Sequence, residues 1–215
     1  QGIDGQQGSR NAMALVNLAW SHFFFWDARA LTLELQAFEP VRDHRELFSA
    51  WPEIIQRLKE RPGYDALFEA AFGTLAYDSL HVVYALAQFE RTLISFNSPF
   101  DRFYYGCDST ALSLVQQRGK DLFFGKAHCA DCHAPPLFQD HAVINIGLDS
   151  IPTDSGMGAY TGKPWHIGRF KTPTLRNIAA SAPYMHDGRF ATLHQVVDFY
   201  ADDVHLNTPN FDDHM

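Results

Sequence analysis

The apolar positions of this chain recur at helical spacing and strand-like alternation is scarce, so the pattern predicts a mainly α protein. Leu80, Val83, Tyr84, Ala87, Leu93 and Ile94 fall at three- to four-residue steps behind Asp78 or Ser79 as N-cap, which predicts a helix over 79–96. Asn97-Ser98-Pro99-Phe100-Asp101 is turn chemistry and marks a domain boundary, giving units 1–98 and 99–215. A second helix is predicted over 110–124, capped by Asp108 or Ser109 and stopped by Gly125. Behind Thr192 as cap, Leu193, Val196, Val197 and Tyr200 fall at i, i+3, i+4 and i+7, so Tyr200 shares the inward face of a third helix. The stretch 135–173 is rich in Gly, Pro, Asp and Thr, has no hydrophobic period, and reads as loop that needs something large to pack on. Neither an internal repeat nor a low-complexity tract is expected.

At 215 residues, 46% hydrophobic and 14% aromatic, the chain can bury a sizeable core. A net charge of −8 and a pI near 5.7 argue against a nucleic-acid partner and favour a basic or mixed-charge protein partner. No run of eighteen apolar residues occurs, so no transmembrane helix is expected. The start Gln1-Gly2-Ile3 is neither a signal peptide nor an initiator methionine, and the chain reads as a portion of a longer one.

The chemistry concentrates in Cys129-Ala130-Asp131-Cys132-His133, the Cys-x-x-Cys-His spacing that attaches a c-type haem. Two thiols on one turn can bond the two vinyl groups, and the adjacent histidine can reach the iron. A zinc site built on Cys129, Cys132, His133 and either His128 or His141 lacks the usual second ligand pair. A thioredoxin-like pair lacks its flanking strand, helix and strand. Cys107 is left as a small buried residue or an unpaired thiol. Haem attachment of this type takes place outside the bacterial cytoplasmic membrane, so an exported, periplasmic protein is expected. The candidates for a sixth iron ligand are Met157, Met185, His186 and Tyr200, and Tyr200 also reads as a plain core tyrosine. A methionine ligand raises the reduction potential, whereas tyrosinate stabilises oxidised iron.

Several segments carry a family resemblance: Phe25-Trp26-Asp27-Ala28-Arg29-Ala30, Phe89-Glu90-Arg91-Thr92-Leu93, the 97–102 turn, the haem motif, Phe170-Lys171-Thr172-Pro173-Thr174-Leu175-Arg176-Asn177 and Pro183-Tyr184-Met185-His186-Asp187-Gly188-Arg189-Phe190. Together they resemble the bacterial dihaem cytochrome c peroxidases and their MauG relatives. The resemblance implies a cytochrome c-like dihaem peroxidase fold with two haem domains. The N-terminal one is incomplete, because the first Cys-x-x-Cys-His should lie upstream of Gln1. It implies haem c and Ca²⁺ as cofactors. Trp26 takes the place of the indole between the haems, against a plain reading as a core residue. Glu46 takes that of the carboxylate that handles peroxide protons, against a solvated helix-end carboxylate, and Gln36 and Pro40 line the same pocket. Asn11 supplies a side-chain calcium ligand, and Ser181 and Pro183 supply backbone carbonyls. Lys171 and Arg176 are implied as propionate partners.

Tyr200 stands where ordinary members carry the methionine ligand of their electron-transfer haem, so the chain resembles the MauG branch. MauG has a tryptophan two residues before its second haem motif as an exit for oxidising equivalents; Ala127 stands there here, and Trp165 is either an exposed loop substitute or a haem-packing aromatic. The implied function is a periplasmic oxidoreductase that reduces hydrogen peroxide and works with a cytochrome, a cupredoxin or a protein substrate. A homodimer is among the assemblies this allows. The alternatives are a conventional dihaem peroxidase fed by a small redox protein, and a non-catalytic electron carrier with one haem.

Overall fold

In the computed structural model, residues 2–213 are described. Four helices form the N-terminal half: α1 (Leu33–Arg42), α2 (Trp51–Lys59), α3 (Tyr64–Phe72) and α4 (Ser79–Arg91). They enclose a core of Ala37, Val41, Trp51, Phe68, Tyr77, Val82 and Val83. Tyr77 stacks on Phe68 with centroids 4.0 Å apart, while its hydroxyl donates to Asp65 at 2.9 Å, so the ring is buried without stranding its polar tip. A second cluster of Phe24, Ala30, Leu33 and Ala87 ties α1 and α4 to the strand-like segment before α1.

The second half contains α5 (Pro99–Tyr104), α6 (Leu114–Phe124), α7 (Met157–Thr161) and α8 (Leu193–Asp198). It also has a two-residue antiparallel ladder of β1 (Val143–Ile144) and β2 (Phe170–Lys171), with Val143 opposite Lys171. The long segment read as loop therefore contains a small ladder and a short helix, both too brief to leave a hydrophobic period. Two other boundaries move. α4 ends at Arg91 instead of residue 96, because Thr92 and Leu93 bond back three residues, to Phe89 and Glu90, and close the last turn. α6 begins at Leu114 behind a Ser113/Gln116 capping box, since Asp108 is engaged in a local turn that accepts from the Thr110 amide and hydroxyl. Asp78 caps α4 as expected, but its buried face is Val82, Val83 and Ala87, with Leu80 and Tyr84 exposed. Cys107 is exposed and unpaired, not buried.

The expectation of no internal repeat is corrected by the backbone. At one constant spacing, Leu15, Asn17, Ala19, Ser21, Asp27, Arg29, Thr32 and Leu33 recur as Leu175, Asn177, Ala179, Ser181, Asp187, Arg189, Thr192 and Leu193. Asn17 and Asn177 share the left-handed region at φ 58° and 57°, as do Phe25 and Met185 at 64° and 71°, and Ala28 and Gly188 at 58° and 73°. Each asparagine precedes a 3₁₀ turn, Leu18–Trp20 or Ile178–Ala180. Isolated bridges Phe24–Ala30 and Tyr184–Phe190 match, and each loop holds its own Asp–Arg pair. Thr32 and Thr192 then cap α1 and α8, each accepting from the amide three residues on. The repeat escaped the sequence because identical residues are scattered among divergent ones.

The two copies bind each other reciprocally. The Asn11 amide donates to the His186 carbonyl at 2.6 Å, and the Lys171 amide donates to the Trp26 carbonyl at 2.7 Å; Asn11 and Lys171, like Trp26 and His186, are repeat equivalents. Arg10 lies 5.6 Å over its own equivalent, Phe170, and clamps Asp27 of the first copy to Asp154 beside the second. Such exchange defines a pseudo-two-fold axis inside one chain.

Leu33 and Leu193 occupy the same repeat position in different surroundings, 2% and 38% exposed. Leu33→Ala should cost about 2–5 kcal/mol of stability in urea titrations, because its cavity is walled by Ala87 and Phe24. Leu193→Ala should cost clearly less in the haem-free chain; equal losses would contradict the difference in packing.

Candidate functional site

A continuous cavity of about 2500 Å³ opens where the two repeat copies meet. It exceeds the roughly 300–1,000 Å³ of an ordinary small-molecule pocket and admits more than one large planar ligand. Its walls bring together nearly every residue singled out above. Trp26, Gln36, Pro40 and Glu46 come from the first copy and its extension; Cys129, Cys132, His133, Lys171 and Tyr200 come from the second half, with Asn11, Ser181 and Pro183 at the junction.

α6 ends at Gly125 and delivers the chain to His128, whose left-handed φ of 55° reverses it into a 3₁₀ turn over Cys129–Asp131. The His133 amide bonds the Cys129 carbonyl at 3.0 Å, which keeps thiols and imidazole on one turn. Nδ1 of His133 lies 3.0 Å from the Phe138 carbonyl oxygen, so it carries the proton and donates, leaving the Nε2 lone pair free to bind a metal. Burial pulls the His133 pKa down, which keeps the ring neutral, as a ligand must be. Both motif thiols are unpaired, and desolvation pushes them up, so they remain protonated. Among the described residues no three His, Cys, Asp or Glu converge as a metal group. His128 turns to Asp131 at 3.3 Å and His141 packs edge-on against His22, which leaves the zinc alternative without its fourth ligand.

Leu193, Val196, Val197 and Tyr200 all line the cavity, as their shared face predicts. α8 widens directly into a π turn over Phe199–Asp203, and Tyr200 sits in it. The exposure of Tyr200, 43%, is toward the cavity, with protein around it. Desolvation, followed by the charges of Cys132 and Cys129, pushes its hydroxyl up to about 12. Tyr200 therefore shares the chamber of the haem motif. Met185 also lines the wall, whereas Met157 opens α7 away from it. His186 is stacked on Phe170 at 3.7 Å and meets Trp26 edge-on at 6.5 Å, so its ring is held in the junction.

In the first copy, the position equivalent to Tyr200 is Pro40, inside α1. Proline has no amide to donate to the Gln36 carbonyl one turn back. The Gln36 side-chain Oε1 is buried with no partner, an acceptor suited to a polar ligand in the cavity. Glu46 follows on the bend after α1. Arg45 holds Asp43 down to about 2, and desolvation together with that nearby anion pushes the Glu46 carboxyl up. The Trp26 indole donates to the Asn11 carbonyl at 2.9 Å and stands in the wall between the copies.

Asn11 also donates its side-chain amide to the Pro183 carbonyl at 2.5 Å, so two of the three expected calcium ligands touch. Because an amide's oxygen and nitrogen are interchangeable in outline, the pair fits a hard cation once Asn11 presents its oxygen. Lys171 is buried, with only long contacts to Gln139 Oε1 at 3.4 Å and the Thr172 carbonyl at 3.5 Å, and it suits an anionic partner. Arg176 corrects its expectation. It lies off the cavity, its guanidinium bonded to Asp101 at 2.6 Å and to the Pro136 carbonyl, and sandwiched between Phe96 and Phe138. It ties α5 to the haem-motif loop instead of reaching a propionate. Trp165 is 59% exposed and off the cavity wall, in keeping with its reading as an exposed loop residue.

A sequence model of the di-haem cytochrome c peroxidase family, covering MauG, matches residues 1–109. The chain is 41% identical to the methylamine utilization protein MauG of Methylorubrum extorquens over 89% of its own length and 54% of that protein. It is 34% identical to the cytochrome c551 peroxidase of Nitrosomonas europaea over 90% of its length and 58% of that enzyme. The chain thus spans little more than half of each relative. A crystal structure of a MauG-like protein associated with microbial copper homeostasis superposes with a TM-score of 0.81 at 32% identity, covering 94% of this chain and 65% of that one. Among the described residues no helix is long and apolar enough to cross a membrane.

Burial pulls the Lys171 amine down to about 8 from an ordinary 10.5. Between those values the unfolded chain holds a proton that the folded chain has released, so stability rises with pH across this window. In the haem-free chain, Lys171→Met should flatten that rise and stabilise the fold at neutral pH by on the order of 3 kcal/mol. Urea titrations from pH 7 to 10 test this; parallel curves for the two proteins would refute it.

Proposed function

Because the chain belongs to the di-haem cytochrome c peroxidase and MauG family, we propose that it is the larger part of a periplasmic dihaem oxidoreductase that reduces hydrogen peroxide. The observation that carries the reading is the shared chamber: Cys129, Cys132, His133 and Tyr200 line one cavity with Glu46, Gln36 and Trp26. A haem held by Cys129, Cys132, His133 and Tyr200 supplies one-electron chemistry at iron. Gln36, Pro40 and Glu46 would line the pocket of a second, peroxide-facing haem. Asn11, Ser181 and Pro183 would hold a calcium ion, the units would divide at Ser98, and Lys171 would pair with a propionate.

The chain's own groups divide the work. His133, neutral and fixed by Phe138, offers Nε2 to the metal. Tyr200 keeps its proton in the haem-free chain and must release it to bind as an anion, a change that a nearby cation favours. Glu46 takes a proton from the near oxygen of peroxide and returns it to the departing one. Its raised pKa suits both roles, since a group that holds its proton too weakly is a poor donor. Gln36 orients the substrate with its unpartnered oxygen as acceptor. Trp26, bonded to Asn11 in the wall, carries electrons between the two sites. Tyr200 in place of a methionine favours the MauG-like branch, in which a separate protein is oxidised, over a conventional peroxidase.

Glu46→Gln should lower peroxide turnover by about 10²–10⁴-fold at unchanged haem content. In the parent, the rate should fall on acidification through a pKa above the ordinary glutamate value, and that limb should vanish in the variant. A full-rate variant would remove Glu46 from the mechanism. Tyr200→Met should raise the reduction potential of the C-terminal haem in a potentiometric titration; an unchanged potential would return Tyr200 to a packing role.

A further inference from the structure

From Phe123 on the cavity wall a run of ring contacts leads to the surface: Phe123 meets Phe138, whose carbonyl fixes His133, edge-on at 6.1 Å. The Phe138 ring meets Phe100 edge-to-face at 5.1 Å, Phe100 stacks on Tyr104 at 5.1 Å, and Tyr104 meets Tyr105 edge-on at 5.0 Å. Both tyrosines are 52% exposed. The run is rigidly held: the Ser98/Asp101 capping box starts α5, Phe100 and Tyr104 share one of its faces, and Asp101 is locked to Arg176.

We propose that Tyr104 and Tyr105 are the surface end of an aromatic relay by which electrons reach the C-terminal haem site, and the first residues oxidised when peroxide is reduced without an external donor. The proposal rests on the peroxidase reading above. Phenylalanine rings resist oxidation and serve as a closely packed medium for tunnelling. The Arg176 guanidinium, 5.2 Å over Phe138, further disfavours positive charge there. Tyrosine is the ring on which an electron vacancy can rest, provided its hydroxyl can shed a proton, and half-exposed hydroxyls shed it to water. Hydrogen peroxide is the oxidant. Each tyrosine passes one electron inward and loses its O–H proton; the peroxide O–O bond breaks, and two electrons with two protons complete two waters, leaving two tyrosyl radicals. The relay also supplies what Ala127 cannot, a redox-active side chain leading out from the haem motif. Trp165, the exposed residue weighed above for that part, has ring contacts to His166 and Lys163, neither on the cavity wall.

The test adds hydrogen peroxide to full-length, haem-loaded protein without donor. Three readouts follow: the haem spectrum, the organic radical by freeze-quench electron paramagnetic resonance, and oxidised residues by peptide mass mapping. A tyrosyl signal and modification at Tyr104 and Tyr105 are expected. Tyr104 also stacks on Phe124 at 6.1 Å, which meets Phe123 at 5.5 Å, so both inner neighbours must go to cut the run. The signal should be lost in the Tyr104→Phe/Tyr105→Phe double variant and modification at both residues sharply reduced in Phe100→Leu/Phe124→Leu, which keeps both tyrosines. If the parent's haem spectrum responds but oxidation falls elsewhere, or persists at these tyrosines in Phe100→Leu/Phe124→Leu, the relay is overturned and the peroxidase reading stands. No haem response in the parent overturns both.

Discussion

Two backbone hydrogen bonds exchanged between repeat equivalents, Asn11 to His186 and Lys171 to Trp26, are the constraint around which this molecule is arranged. They are short, they involve no side chain, and each copy supplies one donor and one acceptor. What surrounds them is fixed by the same exchange. The Trp26 and His186 rings are held beside each other, and Arg10 lies over Phe170. Desolvation disfavours the Arg10 charge, but bonds to both Asp154 and Asp27 outweigh it and raise its pKa. A half-buried cation with two anionic partners is costly to separate, so the clamp resists any sliding of one copy past the other.

The junction explains why a single cavity holds residues that sequence distance keeps far apart. Neither copy encloses it alone: Trp26, Gln36, Pro40 and Glu46 line it from one side and Cys129, Cys132, His133 and Tyr200 from the other. Their frames are alike, yet the chemistry differs at one repeat position, where α1 carries Pro40 and α8 passes into a π turn at Tyr200. The proline side chain carries no donor atom, whereas a phenol does. One frame thus presents an apolar ring to the cavity and, in its second use, a hydroxyl.

Much of this was legible in the residues. The haem motif has a spacing dictated by covalent chemistry, and the face of Leu193, Val196, Val197 and Tyr200 follows from helical geometry alone, with the four residues lining the cavity together. The repeat was hidden because it is preserved in backbone conformation, at Asn17 and Asn177 or Ala28 and Gly188, more than in side chains. The resemblance alone assigned Arg176 to a propionate, and nothing in the sequence announces that Asp101 is its buried partner. The start of α6 misled because aspartate and serine serve caps and turns equally well, and the choice is made by where the first turn packs. The aromatic run from Phe138 to Tyr105 crosses elements distant in sequence and has no linear signature at all.

The matching threonine caps carry a consequence of their own. Thr32 and Thr192 fix the first turn of each helix, and every later residue is phased from that point, at about 100° per position. Pro40 and Tyr200 lie at equal distances from their caps. The occupant of either position is therefore open to exchange by simple replacement, whereas inserting or deleting one residue between cap and ligand turns it off the chamber by a quarter of a revolution or more. The ligand alphabet is free; the reading frame of the helix is not.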